Sequence, residues 1–484
     1  MSSEQGAGAL AGRPRARPAA DEAGAPGGGF RGWLKGRPAW AEKNLGFVAK
    51  WLRDPIAPVI ALCAILVISF GLRVYSIEQP CSNPCRTPAS HTLIFDEAYY
   101  VNAARVIDHI EPPVGSDYHG APLGDDPNAE HPQLAKIIIA GSIELFGNNG
   151  FGWRLGSVLF GLIALIALYT LVRAAGGSGW LAAGVAAIAA VDNLMLVHSR
   201  IGTLDIYVIA MMLVSATLYL RRHPIAAGIA LGVAMCMKEV AIYMIAVYVL
   251  FELGRWLRAW WTGAGSGWLR ENVRPAAFVV FSGAASFLLL LWILDILVPA
   301  YDTGTHITYA GSPFTHFFHM VHYATLLKAE PARPGISSTP FQWLLNEKAI
   351  PYAKTAVTSS SGGKIVANHP QYFFQGLINP FIIFLAIPAL AACLSIWWRR
   401  GDTLALLAVV WFVGCFVPAV FESYALRRVN YIYYMLIVMP AIYLALGRVF
   451  GDRRMPKVAT VAWAVMLVFG FIDLYPIRVL PFGI

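Results

Sequence analysis

Apolar runs of roughly 17 to 25 residues recur along this chain of 484 residues, each long enough to cross about 30 Å of hydrocarbon as a helix. Inside a bilayer such runs satisfy their own backbone hydrogen bonds only as helices. A barrel would instead show alternation over strands of about ten residues. With 57% hydrophobic and 13% charged residues, the composition is far from that of a soluble globular domain. The formal net charge of +9 would suit a nucleic-acid partner, but the basic residues collect in short segments flanking the apolar runs. That is the distribution of membrane topology, and nucleic acid is set aside. The expected fold class is an all-α polytopic membrane protein.

Spans are expected near 56–74, 133–147, 153–173, 179–197, 203–220, 224–251, 276–298, 378–398, 403–420, 428–449 and 457–475, about eleven in all. Residues 1–45, rich in Gly, Ala, Pro and Arg, read as a disordered tail ahead of a membrane-embedded domain over 46–478. Segment 46–53 reads as a short interfacial helix. The tail and this segment carry Arg13, Arg15, Arg17, Arg31, Lys35, Arg37, Lys43, Lys50 and Arg53, so the N-terminus is expected in the cytoplasm of a multi-pass cell-membrane protein. A first large loop, 75–131, and a second, 299–377 with helices of its own, are then extracytoplasmic, as is the C-terminus. Basic connectors at 252–274, at Arg399-Arg400 and at Arg453-Arg454 with Lys457 fall inside. The same count also places Arg154 and Arg200 inside, but Arg173, Arg221 and Arg222 outside. Cys81 and Cys85, in the first loop, could form a disulfide or remain free; Cys63, Cys236, Cys393 and Cys415 read as small core hydrophobes.

Two adjacent carboxylates, Asp96 and Glu97, stand just beyond the first span. Such charges beside a bilayer are costly unless water, a partner or a reaction uses them. A helix along the outer surface is expected over 98–110, and simple capping of it is the competing reading of the pair. Lys136, Arg427 and Arg428 fall near outer span ends, whereas Lys238 lies deep in the sixth apolar run beside Glu239. Each is a candidate partner for an anion, with snorkelling or structural pairing as the alternative. His316, His319 and His322 recur every third residue, but no carboxylate joins them at suitable spacing, so they read as part of an amphipathic surface helix. The sequence requires no metal and no cofactor. Gly176-Gly177-Ser178-Gly179 reads as a turn and not as a phosphate cradle.

Several motifs stand in one order along the chain. They are Asp96-Glu97; His131-Pro132 with Leu134 and Lys136; Trp153-Arg154-Leu155; and Ser199-Arg200-Ile201-Gly202-Thr203-Leu204-Asp205. Further on come His322-Tyr323-Ala324-Thr325, Ser337-Ser338-Thr339-Pro340-Phe341-Gln342-Trp343, and Arg428 with Tyr431-Ile432-Tyr433-Tyr434-Met435-Leu436 and Pro440. Together they resemble the polyprenyl- and dolichyl-phosphate-mannose protein O-mannosyltransferases over about 56–450. The resemblance implies a GT-C glycosyltransferase fold of about eleven transmembrane helices with two large extracytoplasmic loops. It implies a polyprenyl-phosphate-sugar donor in the membrane, secreted or membrane proteins as acceptors, and the secretion translocon as a further partner. A mannosyl or other hexosyl group would pass to Ser/Thr hydroxyls by a single inverting displacement, with Asp96 as base. Glu97, about 100° further round a helix, would orient the acceptor or a cation. Lys136, Lys238, Arg427 and Arg428 would meet the donor phosphate, and His131, Tyr99, His322, Trp343 and Tyr431 would line the donor and acceptor cavity. Two other readings stay open: transfer to an envelope glycan or lipid, and a lipid or solute transporter, although no internal repeat is visible.

Overall fold

The computed structural model describes residues 54–81, 91–263, 268–328, 335–361 and 364–477. The chain divides into two units, Met1–Ala57 and Pro58–Ile484. Of the first only 54–57 are described, so the expected tail at 1–45 and interfacial segment 46–53 lie outside the described residues, as does Cys85. Cys81 is disulfide-bonded, while Cys63, Cys236, Cys393 and Cys415 are free thiols.

Helix α1 (Ala57–Val74) leads into the first loop, which holds α2 (Glu97–Ile107) and α3 (Leu134–Phe146). The expected surface helix over 98–110 is in fact largely buried: Val101, Ala104 and Val106 are in the core, and the Arg105 guanidinium lies over the Trp153 ring at 4.8 Å. Helix α4 (Gly150–Ala174) begins where α1 ended, because Arg154 donates to the Ile77 and Gln79 carbonyls at 2.6 and 2.9 Å. Both ends of α3 therefore lie at one end of the bundle, and 133–147 is not a crossing.

The chain continues through α5 (Gly179–Ala190), α6 (Asn193–His198), α7 (Asp205–Leu220) and α8 (Pro224–Met237). The expected single span 224–251 is two helices. Lys238 is extended (φ −161°, ψ 133°), and a 3-10 turn over Glu239–Ile242 opens α9 (Tyr243–Trp261). A straight helix over 224–251 would measure about 42 Å, well beyond the bilayer core. Helix α10 (Trp268–Leu297) packs on α8 through small residues. A Cβ at Gly228 or Gly232 would collide with the Ser282 or Ser286 hydroxyl, so the two backbones approach as closely as glycine allows.

The second loop holds β1 (Ala300–Asp302) paired antiparallel with β2 (Ile307–Tyr309), then α11 (Pro313–Leu326) and α12 (Pro340–Leu344). A long antiparallel hairpin follows, β3 (Ile350–Ser361) with β4 (Lys364–Gly376), in register Ile350↔Gly376. These strands were not expected from the sequence, although Thr355, Val357 and Thr358 are residue types that favour them. The two loops interlock: Asp126 donates its N–H to the Pro299 carbonyl, and Tyr301 donates back to Asp126, both at 2.8 Å.

The last elements are α13 (Pro380–Ile383), α14 (Ala386–Arg400), α15 (Thr403–Tyr424), a 3-10 segment Ile432–Ile437, α16 (Met439–Phe450) and α17 (Lys457–Leu474). Among the described residues, seven helices are long and apolar enough to cross a membrane, and four shorter apolar helices run among them. One end of this bundle carries both loops and Asp96. The other gathers the turns at 174–178, 220–222, 400–403 and 448–454, which share the walls of two recesses with Arg255. Arg154 and Arg200 thus lie at the Asp96 end, and Arg222 at the other, the reverse of the sequence count.

Candidate active site

Phe95 has a left-handed backbone (φ +55°), a conformation that is strained for an aromatic residue. It is held by stacking on Tyr352 at 4.2 Å and by an edge contact with Tyr433 at 5.4 Å. This turn sets Asp96 at the N-cap of α2, yet its side chain makes no capping hydrogen bond, so capping does not explain it. Its carboxylate accepts from the Tyr433 hydroxyl instead. Burial pushes this carboxyl up to about 7; nearby Lys238 opposes that, Asp205 adds to it, and His131 and the Tyr433 hydrogen bond oppose it further.

Glu97 faces away into the protein. Oε1 accepts from Arg154 Nε (2.8 Å) and Gly202 N (2.7 Å), while Oε2 accepts from Arg154 Nη2 (2.8 Å) and Ile94 N (2.7 Å). With four donors on a fully buried carboxylate, Glu97 ties the first loop to the start of α4 and to the segment before α7, and it has nothing left to orient an acceptor. Arg200 reinforces the same joint through the Tyr75 and Ser76 carbonyls at 3.0 and 3.2 Å.

The break between α8 and α9 delivers Lys238 to Asp205, the first residue of α7, at 2.6 Å. Asp205 also meets His198 Nδ1 at 3.4 Å, and His198 Nε2 meets the Tyr352 hydroxyl at 2.9 Å. The Lys238 ammonium lies 5.6 Å from the Tyr433 ring centre and 5.9 Å from that of Tyr434. Arg428 pairs with Glu422 at 2.8 Å and lies 5.8 Å from the Tyr434 ring centre; Glu422 also accepts from Tyr243. His131 Nδ1 meets Glu239 at 2.9 Å. Tyr100, His131, Lys238, Arg428, Tyr433 and Tyr434 line one cavity. Asp205, Glu239 and Glu422 stand in the same walls, so Lys238 and Arg428 face the cavity as members of ion pairs.

The remaining expected residues divide. Lys136 is fully buried and gives its ammonium to Asp126 (2.5 Å) and to the Asn128 and His131 carbonyls (2.6 and 2.9 Å), so no donor is left for a phosphate. Arg427 is exposed, with φ +53°, and lies outside the cavity lining. Tyr431 stacks on Tyr433 at 5.7 Å, and Tyr99 is exposed near Tyr118. Trp343 is buried, donates to Ser338 at 2.9 Å and supports Tyr434 edge-on, so it backs the wall without lining it. His322 is exposed. The histidine row is split by its partners: His316 is buried against Asp295 at 2.7 Å, and His319 meets Tyr309 at 2.8 Å. Sequence reasoning missed Asp205, His198, Tyr352, Glu422 and Tyr433 as one neighbourhood. The signal that could have found it was the over-long run holding Lys238, because a charge there needs a partner.

The family model for dolichyl-phosphate-mannose-protein mannosyltransferase matches residues 130–268. The polyprenol-phosphate-mannose–protein mannosyltransferase of Corynebacterium glutamicum is 24% identical over 459 residues, covering 80% of this chain and 85% of that one. The Saccharomyces cerevisiae protein O-mannosyltransferase Pmt1-Pmt2 complex, solved with its sugar donor, superposes with a TM-score of 0.61 at 13% identity, over 87% of this chain and 90% of that one. ArnT from Cupriavidus metallidurans, solved with undecaprenyl phosphate, gives 0.50 at 16% identity, over 85% of this chain and 63% of that one. In sequence and in fold, the chain is thus similar to the polyprenyl- and dolichyl-phosphate-mannose protein mannosyltransferases.

Proposed function

We propose that this protein transfers a mannosyl group from a polyprenyl-phosphate donor to Ser/Thr hydroxyls of proteins, at the outer face of the cell membrane. The observation that carries the reading is one carboxylate, Asp96, raised to about 7 beside a cavity that presents Lys238 and Arg428. The acceptor oxygen attacks the anomeric carbon as its proton passes to Asp96. The bond from that carbon to the phosphate oxygen breaks on the opposite face, and polyprenyl phosphate departs. Lys238 and Arg428 stabilise the charge that grows on the leaving phosphate. One displacement inverts the anomeric centre. Asp205 and Glu422 hold the two cations in place, and His198 and Tyr352 brace Asp205.

The Corynebacterium glutamicum relative is a protein mannosyltransferase, which supports a protein acceptor. The basic turns at the far end of the bundle support an outer position for Asp96, by the positive-inside rule. Acceptors would then arrive as translocated chains, which makes the translocon the partner to look for. The test is incubation of the purified protein with polyprenyl-phosphate-mannose and a Ser/Thr-rich peptide, read by mass spectrometry. A peptide gaining one hexose supports the reading. No product with peptide, but product with an envelope glycan or lipid, would overturn the acceptor assignment.

A further inference from the structure

At the end of the bundle opposite Asp96, a recess of about 550 Å³ is walled by Arg400, Arg448, Arg453 and Arg454 against only Asp402 and Asp452. Arg448 pairs with Asp402 at 2.7 Å and with Asp452 at 3.1 Å, and Arg400 pairs with Asp452 at 2.9 Å. Arg448 thus takes both carboxylates and Arg400 shares Asp452, and among the described residues Arg453 and Arg454 have no side-chain ion pair. A second hollow, an apolar groove of about 440 Å³, opens from the recess: Ser178, Leu181 and Gly451 line both. The groove passes between α5, α16 and α17. Its walls include Ile188, Leu467 and the stacked pair Phe450 and Trp463, whose ring centres are 3.9 Å apart. From Ser178 to Val191 it follows α5 for about 20 Å, enough to take one acyl chain into its half of the hydrocarbon.

A positive recess joined to an apolar groove of bilayer depth matches one class of molecule, and we propose that the pair binds an anionic glycerophospholipid. The phosphate meets Arg453 and Arg454, and one acyl chain lies along Gly184, Ile188 and Leu467. The excess of two guanidinium groups over carboxylates selects an anionic headgroup over a zwitterionic one. The polyprenyl-phosphate donor is a different ligand, because its phosphate must reach Asp96 at the other end. The inference rests on the membrane-spanning fold and not on the transfer reaction, so binding and activity fail independently.

The test is native mass spectrometry of the full chain, delipidated in detergent and titrated with phosphatidylglycerol, phosphatidylcholine or glycerol phosphate. Phosphatidylglycerol is expected to be retained about tenfold better than phosphatidylcholine. The double variant Arg453→Gln/Arg454→Gln leaves the pairs of Arg400 and Arg448 intact and should abolish that preference. Gly184→Phe fills the groove where a Cβ meets open space, and should reduce retention of phosphatidylglycerol without altering mannosyl transfer. Equal retention of the two lipids, or unchanged preference in the double variant, would overturn the proposal. So would competition by glycerol phosphate at equal concentration, which would mark a headgroup site without a chain site. Doubling of the chain mass without lipid, abolished by Gly184→Phe, would show a second copy in the groove and overturn it too.

Discussion

Asp96 and Glu97 are neighbours in sequence with opposite surroundings. Asp96 accepts from Tyr433 at the cavity and is lifted to about 7 chiefly by burial; Glu97 is fully buried and clamped by Arg154. A base acts when deprotonated, so kcat/KM of transfer should rise with pH through a single ionisation near 7 and level off above it. The linked stability runs the other way. Between the ordinary carboxylate value near 4 and about 7, the folded protein keeps a proton that the unfolded chain has released, so stability falls as pH rises across that window. Asp96→Asn should therefore lose transfer yet melt at or above the wild-type temperature at pH 8, measured by thermal shift in nanodiscs. Glu97→Gln should do the reverse in stability: leaving the Arg154 guanidinium buried without its charge partner costs about 3–5 kcal/mol. Equal destabilisation by the two substitutions would remove the distinction between a reacting group and a clamp. The sequence singled out the acidic pair as a candidate, because two carboxylates beside hydrocarbon are conspicuous. It did not divide their roles, since Arg154 and Gly202 reach Glu97 from more than fifty residues away.

At the scale of elements, hydropathy shows where apolar segments lie but not where they turn. It marks 133–147 and 224–251 as apolar, but the first starts and ends at the Asp96 end, and the second, too long for one crossing, is two helices broken at Lys238. That break places Lys238 against Asp205 and so creates the cationic wall. A cysteine at Glu144, in the last turn of α3, should react with a membrane-impermeant maleimide from the same side as one at the exposed Val114; a cysteine at Arg221 should react from the other side. Labelling of Glu144→Cys from the Arg221 side would restore α3 as a crossing. The glycine contact between α8 and α10 carries the same geometry. Gly232→Leu has no room against Ser286 and Phe287 and should cost about 1–3 kcal/mol, with transfer falling because Lys238 stands at the end of α8. An unchanged melting temperature would contradict that packing.

For the whole molecule, chemistry and charge sort to opposite ends. The interlocked loops, the Asp96 turn and the ends of α8 and α15 close one end around the cavity of Lys238 and Arg428, while the arginine-rich turns collect at the other. Composition made the helical membrane class legible, and motif order made the family resemblance legible, because both depend on local sequence. The β3–β4 hairpin, the interlocking of the loops and the grouping of Asp205, His198 and Tyr352 were not legible, because each depends on tertiary pairing between distant segments. The central claim is that Asp96 removes the acceptor proton. It is tested most directly by single-turnover transfer from polyprenyl-phosphate-mannose to a Ser/Thr peptide by wild-type and Asp96→Asn protein, with donor binding measured on the same samples. The account predicts a loss of at least about a hundredfold in the transfer rate with donor affinity retained; transfer by Asp96→Asn at the wild-type rate would contradict it.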